Sequence, residues 1–366
     1  MGITFTPPMD ESMKRARVEI DLGALQRNGA ALQRHAGVPL LPMVKADAYG
    51  LGVREVVRAL EKLDPWGYGV ATVVEGEELR GFGIERRILV FTPILAEEMT
   101  AAAKADLTPV LGDANAIAAW RKYGGGKPWH YSIDTGMSRA GAHWRDVVSL
   151  PAKMDAEAEG VCTHFHSAEL DDGSMEEQEK RFESALAKLD FTPKYTHTDN
   201  SAAIARHGRS TRSFVRPGIF LYGAGSGAKL QPEPVVTLSA PVAEIREIDR
   251  GDTVSYDATF RASGRTRIAT IALGYADGYP RALSNIGKAS VNGKLVPIAG
   301  IVTMDMIMLD VSAIDCEIGD VAFLLGRDGE NLLTVEDVAA PASISPYEFL
   351  TGLRSRIERV YTGGES

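Results

Sequence analysis

The chain has 366 residues, 45% hydrophobic and 24% charged, with 40 Lys+Arg against 49 Asp+Glu and a net charge of -9. That length holds two domains, or one large barrel with an addition, and the acidic balance without a basic stripe argues against a nucleic-acid partner. Cys162 and Cys316 lie too far apart for a CxxC motif and read as reduced, buried thiols; no apolar run reaches membrane-spanning length and the N-terminus lacks a signal-peptide core, so the default compartment is the cytoplasm.

Residues 1–16 precede any patterned segment and read as a disordered tail or a cloning extension. Arg17–Leu22 alternates as a strand, and Ala24–Ala36 follows as a helix with Asp21 placed to cap it. The stretch LLPMVKADAYGLG (Leu40–Gly52) organises what comes after. An apolar run stops at Lys45, a short turn follows, and a helical pattern begins at Val53. A lysine at the end of a buried strand is partly desolvated, which lowers its pKa and makes the neutral amine a nucleophile. The plainer alternative is a lysine that snorkels to solvent.

Further apolar runs at Gly67–Thr72, Arg87–Phe91, Leu107–Leu111, Trp129–Thr135, Glu159–Phe165, Tyr195–Asn200 and Ser213–Ile219 alternate with helical patterns at Val73–Gly81, Ala96–Lys104, Asp113–Tyr123 and Ser174–Leu189. With the Leu40 run these make eight strands, which predicts a (β/α)8 barrel over residues 17–230, although the first strand, 17–22, could join the second domain. The glycine-rich run Gly223–Gly227 and the prolines Pro232 and Pro234 read as a linker; no strand runs into those glycines, which disfavours phosphate binding there. Residues 231–366 form a mostly antiparallel β domain. Its expected strands are Val236–Ile248, Thr253–Phe260, Arg267–Leu273, Ala289–Val291, Leu295–Met304, Ile307–Val311 and Asp320–Leu325, with a turn at Asn292-Gly293 and a final helix over Tyr347–Arg359.

Barrels carry their chemistry at the C-terminal ends of the strands. Those ends hold Lys45 and Tyr49, then Asp134, Met137 and Arg139, then Thr163, His164 and His166, then Asp199, Asn200 and Ser201, and finally Arg216 to Ile219. The set lacks metal-ligand spacing: His164 and His166 point to opposite faces of one strand. A lysine among anion-binding groups points to Schiff-base chemistry on a phosphorylated cofactor.

VKADAYGLG (Val44–Gly52), DTGMSR (Asp134–Arg139), THF (Thr163–Phe165), NSAA (Asn200–Ala203), RPGI (Arg216–Ile219), GYADGYPR (Gly274–Arg281), TMDM (Thr303–Met306) and PYE (Pro346–Glu348) together resemble the alanine racemase family, in the right order and over about Arg17 to Tyr361. The resemblance implies a barrel plus a β domain, pyridoxal 5'-phosphate as cofactor, and a homodimer with shared sites. It implies Lys45 as covalent anchor and first base, and Tyr275 of a second subunit as the opposite base. It also implies Arg216 on the pyridine nitrogen, with His164 between Arg216 and Tyr275. Tyr49, Asn200, Ser201, Gly218, Ile219 and Tyr347 belong to the cofactor site, with phosphate held by the tyrosines, the Ser201 hydroxyl, nearby backbone N–H groups and the helix start at Ser201. Arg139 and the Met304 backbone would take the substrate carboxylate.

Four positions depart from the family pattern. Ser132 stands where many members carry a carbamylated lysine, so Arg139 lacks its usual anion; chloride or water is the expected substitute. Ile301, Glu169 and Ser345 replace an arginine, an aspartate and an isoleucine of the access channel, which predicts tolerance of side chains larger than alanine, serine among them. Rival readings are a broader-specificity racemase, a decarboxylase of the same cofactor fold type (which usually sets a carboxylate, not an arginine, at the pyridine nitrogen) and a non-catalytic cofactor carrier.

Overall fold

The computed structural model describes residues 15–147, 158–226 and 230–364. Residues 1–14 of the expected tail and Gly227 of the glycine run lie outside them. Two compact units emerge, one over Gly23–Glu233 and the other from the segment ending at Leu22 together with the chain from Pro234.

The first unit is an α/β barrel. Parallel strands Gly67–Val70, Arg87–Val90, Thr108–Leu111, His130–Asp134, Gly160–Cys162 and Tyr195–His197 pair in sequence order. Parallel bridges from Asn200 to Arg216, Leu40 to Val215 and Met43 to Gly69 close the ring. The N–H groups of Leu41, Met43 and Val44 donate to the carbonyls of Val215, Pro217 and Gly69 at 2.7, 2.8 and 2.9 Å. The segments at 40–43 and 215–216 are therefore the first and eighth strands. Gly67–Val70 and Thr108–Leu111 are buried at every position, as strands covered by helices on one side and packed core on the other must be. Local signals start the helices between them. Thr72 and Glu75 form a reciprocal capping box at Val73–Gly81, and Asp113 accepts from the N–H groups of Asn115 and Ala116 at the start of Ala114–Tyr123.

The second unit is a mostly antiparallel sheet around the long strand Val236–Ile248, which pairs with Arg17–Asp21, Thr266–Ile271 and Val321–Asp328. The Arg17–Asp21 strand thus belongs to this sheet. Lys288–Val291 and Lys294–Pro297 form a hairpin whose turn residues, Asn292 and Gly293, both have positive φ (50° and 71°), the geometry an Asn-Gly pair favours.

Three expectations need correction. The terminal helix spans only Pro346–Gly352, and Glu358–Thr362 is a strand running parallel to Arg17–Asp21. The chain goes extended at Leu353, and pairing with a distant strand outweighs the helical spacing of the tail. Thr253–Phe260 is two short paired pieces, Thr253–Val254 and Phe260–Arg261, separated by left-handed backbone at Ser255, Asp257 and Ala258. Leu295–Met304 ends as a strand at Pro297, with one further bridge from Ile298 to Leu309, because the chain turns at Gly300 (φ 81°).

Candidate active site

The strand ends of the barrel unit converge on Lys45. The chain does not leave that lysine by an ordinary turn. Ala46, Asp47, Ala48 and Tyr49 have φ of 53°, 53°, 52° and 59° with ψ of 51°, 48°, 52° and 34°, one turn of left-handed helix made of L-residues. Such backbone costs about 1–2 kcal/mol per residue, so the surroundings must hold it. Glu75 Oε1 accepts from the Ala46 N–H at 2.8 Å, and Asp47 Oδ1 accepts from the Val53 N–H at 2.7 Å, starting the helix Val53–Glu61. The Tyr49 ring stacks on Tyr222 at 4.5 Å between centroids, and Tyr222 Oη donates to the Met43 carbonyl at 2.8 Å. The turn thereby carries Tyr49 back across the barrel mouth to Gly218, where an added Cβ would lie 2.4 Å from Tyr49 Oη.

Electrostatics at this mouth favour neutral bases. Burial, then the positive field of Arg139, pull the Lys45 ammonium below its ordinary range, with Glu75 opposing. The His164 imidazole is pushed down to about 3 by its enclosure in the mouth and by Arg216, Arg139 and Lys45, although part of its ring meets solvent. It is neutral at working pH. Arg139 itself is exposed and makes no hydrogen bond or ion pair among the described residues. Ser132 pairs with Cys162 in the strand register.

Arg216 is almost fully buried and locked to the barrel wall. Nη1 donates to the His197 carbonyl at 2.6 Å and to His197 Nδ1 at 2.8 Å. Nη2 donates to the carbonyls of Thr163 and Thr198 at 2.8 and 3.0 Å, and lies 3.4 Å from His164 Nδ1. Each of these bonds leaves from an Nη nitrogen. Ser201 Oγ accepts from the Gly218 N–H at 2.8 Å and from the Phe220 N–H at 3.4 Å, so its own hydroxyl proton remains to be donated. Asn200 caps the helix Ser201–His207 through Oδ1 to the Ala203 N–H at 3.0 Å, and its Nδ2 reaches the Phe165 carbonyl. Ile219 opens a short 3-10 helix, Ile219–Tyr222, where the first N–H groups have no intrahelical acceptor.

Tyr275, Met304 and Tyr347 belong to the second unit and are all exposed. The N–H groups of Tyr275 and Ala276 both donate at 3.0 Å, to the carbonyls of Thr303 and Met304, tying the Tyr275 turn to the Met304 turn. This approach requires Gly274: a Cβ there would lie 2.3 Å from the Thr303 carbonyl oxygen. The helix Pro346–Gly352, which carries Tyr347, is capped by Ser345 Oγ accepting from the Glu348 N–H at 3.1 Å. Ile301 is buried, and its carbonyl accepts from Ser255 Oγ at 2.7 Å.

Reading the strand ends did not single out His130, His197 or Arg356. The first two lie inside the barrel on their strands, and Arg356 lies beyond the last motif; only an inward position on a strand marked the histidines beforehand.

The model of the alanine racemase N-terminal domain matches residues 20–226, and that of the C-terminal domain matches residues 235–361. The chain belongs to the alanine racemase family. It is 36% identical to the alanine racemase of Halothermothrix orenii over 94% of this chain and 96% of that protein, and 37% identical to that of Deinococcus radiodurans over 95% and 99%. Among solved structures, alanine racemase from E. faecalis superposes with a TM-score of 0.89 at 28% identity, covering 97% of this chain and 100% of that one. The Bartonella henselae racemase, solved with covalently bound pyridoxal phosphate, gives a TM-score of 0.88 at 30% identity over 95% and 99%. The Bacillus anthracis racemase, solved with bound L-Ala-P, gives 0.87 at 30% identity over 98% and 97%. Family membership and the two-part fold thus agree along the whole matched length. No helix among the described residues is long and apolar enough to cross a membrane, and no group of His, Cys, Asp and Glu among them is arranged to hold a metal ion.

Proposed function

We propose that the chain interconverts L- and D-alanine with pyridoxal 5'-phosphate held at the barrel mouth, as a cytoplasmic homodimer whose sites are shared between subunits. The observation that carries this reading is a strand-end lysine whose ammonium is destabilised by burial and by Arg139, in the same mouth as a fully anchored Arg216 and a neutral His164. The residues fit the cofactor. The mouth is rich in cations, Gly218 lets Tyr49 Oη approach the backbone closely there, and the Ser201 hydroxyl proton is available to a phosphate oxygen. Relatives solved with the cofactor bound and with an alanine phosphonate-type ligand, L-Ala-P, support the same assignment.

The cofactor supplies an aldehyde that Lys45 can capture and an electron-withdrawing ring that acidifies the Cα–H of an amino acid held on it. The protein's own groups divide the remaining work. Lys45, once released, takes or returns the Cα proton on one face, and its lowered pKa favours the neutral amine that this needs. Tyr275 of a second copy serves the opposite face. Two bases on opposite sides suffice to invert a carbon without rotating the substrate, and a monomer would be inactive.

Arg216, with both Nη groups engaged by the barrel, presents Nε–H to the ring nitrogen. A donor that keeps its proton leaves that nitrogen unprotonated, so less charge moves into the ring and side reactions such as transamination are restrained. His164 relays between Arg216 and Tyr275. Tyr49, Ser201, Tyr347 and the backbone N–H groups of Ser201, Gly218 and Ile219 hold the phosphate, with Asn200 fixing the helix start beneath. In the free chain the Gly218 N–H is spent on Ser201 Oγ, so this pair must open or be shared when phosphate arrives. Arg139 and the Met304 backbone take the substrate carboxylate. With Ser132 in place of a carbamylated lysine, chloride or water stands in for the missing anion beside Arg139.

Incubation with L-alanine and cofactor in D2O tests the assignment. Deuterium at Cα together with loss of optical rotation is expected. Retained rotation, with the usual cofactor absorbance near about 420 nm, would instead identify a carrier.

A further inference from the structure

Arg356 sits beyond every motif that points to the reaction, yet it grips both turns on which the second base and the carboxylate donor stand. Nε donates to Asp277 Oδ1 at 2.7 Å, and Nη2 donates to Asp277 Oδ2 at 3.3 Å and to Asp305 Oδ1 at 2.6 Å. Asp277 is two residues past Tyr275; it is buried, and its Oδ2 accepts from the Gly274 N–H at 2.8 Å. Asp305 follows Met304 directly. The two turns already share backbone bonds from Tyr275 and Ala276 to Thr303 and Met304. The Arg354 N–H adds a bond to the Asp277 carbonyl at 3.0 Å. On the far side, Gly278 (φ 106°) lies so close to Gly352 that a Cβ would stand 2.2 Å from its carbonyl oxygen, bringing in the end of the Tyr347 helix.

A guanidinium is suited to this task. Its planar fork meets one carboxylate through two nitrogens and still has a donor for another, which a lysine cannot reproduce. The buried Asp277 carboxylate also gains a counter-charge in this pair. Neither Arg356 nor Asp277 need touch substrate or cofactor.

We propose that Arg356 is a positioning residue for racemisation: by bridging Asp277 and Asp305 it locks the Tyr275 turn and the Met304 turn into one block, fixing the second base relative to the group that holds the substrate carboxylate. This rests on the assignment of Tyr275 as second base.

The test uses the full-length holoenzyme and separates inversion from exchange. One enantiomer of alanine presents its Cα proton to Lys45; that enantiomer can exchange the proton with solvent without help from Tyr275. In Arg356→Met, racemisation should fall roughly 10–100-fold, the scale of a base misplaced by about 1 Å. Exchange with retention in the Lys45-served enantiomer should fall less than roughly 3-fold. Backbone hydrogen exchange should rise at the Tyr275 and Ala276 amides. Arg356→Lys, which restores charge but not the fork, should recover only part of the inversion rate.

Should Arg356→Met fail to fold, Asp305→Asn opens only the Met304 side, and the expected result is a raised KM for alanine with the same shift from inversion towards exchange. Equal losses of inversion and exchange, or unaltered amide protection with full racemisation, would overturn the proposal. Tyr275→Phe keeps the two ideas apart. If it racemises normally, the second-base reading fails and the clamp with it; if it is inactive while Arg356→Met is normal, only the clamp fails.

Discussion

Arg216 Nη1 donates to His197 Nδ1 at 2.8 Å, and that one bond sets the protonation of two buried histidines. An arginine has no lone pair to offer, so His197 Nδ1 is the acceptor and the proton of this imidazole is on Nε2. Nε2 lies 2.8 Å from His130 Nδ1, so His197 donates and His130 accepts, leaving the His130 proton on its own Nε2. That Nε2 is buried and has no partner among the described residues. Replacing His197 by Phe removes the side-chain acceptor for Arg216 Nη1 and the donor for His130 together. A loss of about 1–3 kcal/mol is expected, read as a lower denaturation midpoint, with a lower cofactor affinity. Nitrogen NMR of the parent should show Nδ1 unprotonated in both rings; a charged imidazole at either position would refute the relay.

The same histidines predict acid sensitivity. Burial, then Arg87 and Arg216, push His130 down to about 3, and burial, then Arg216, hold His197 well below its ordinary value. Below about pH 6.5 the unfolded chain binds protons on these residues that the folded chain refuses. Stability should therefore decline as pH falls from about 6.5 towards 3, by up to a few kcal/mol per fully buried ring. Denaturant titrations at a series of pH values check this, and His197→Phe should flatten part of the slope.

The left-handed turn after Lys45 predicts an unusual gain from glycine. Ala46 is exposed, with φ of 53° and ψ of 51°, so Ala46→Gly gives up no packing and relieves strain. A net stabilisation of about 0.5–1 kcal/mol is expected after the entropy that glycine loses on folding. Asp47→Ala should cost about 0.5–2 kcal/mol, because Val53 N–H loses its acceptor at 2.7 Å. Thermal denaturation of both variants reads the two signs.

Gly218→Ala places a methyl 2.4 Å from Tyr49 Oη, so one of the two must move. Cofactor affinity should fall at least roughly tenfold, about 1.4 kcal/mol, in fluorescence titrations. Tyr49→Phe in the same background should recover folding stability more than cofactor affinity, since it removes the clash but also the hydroxyl. Equal recovery of both would argue that Tyr49 does not contact the phosphate.

Substrate breadth is the remaining expectation. Ile301 is buried and uncharged, and Ser345 is small and caps the Tyr347 helix, in keeping with the channel expected from the family resemblance. L-serine should be turned over with kcat/KM above about one per cent of that for alanine, a discrimination below roughly 2.7 kcal/mol. A lower ratio would refute the wider channel.

Much of the architecture was legible along the chain, for identifiable reasons. The buried runs at Gly67, Arg87, Leu107 and Trp129 announce parallel strands because both faces are covered, and Thr72 and Asp113 mark helix starts by local chemistry. The tail of the chain was not legible. Glu358–Thr362 reads as the end of a helix until Arg17–Asp21, at the opposite end of the sequence, is available to pair with it. Lys45, His164 and Arg216 stood out as polar side chains where apolar runs stop. Arg356 did not, since its meaning lies in two carboxylates 79 and 51 positions away.

Sequence alone determined which polar residues close the strands and motifs of the candidate site, and their order, because strand periodicity and turn chemistry are local properties. It could not determine that the chain after Lys45 winds left-handed, that Arg216 is held by His197, or that one arginine bridges the two turns around Tyr275 and Met304. Those relations depend on burial and on partners distant in the chain, and a dihedral held against its own preference or a charge held out of water exists only once the folded surroundings supply the compensating bonds.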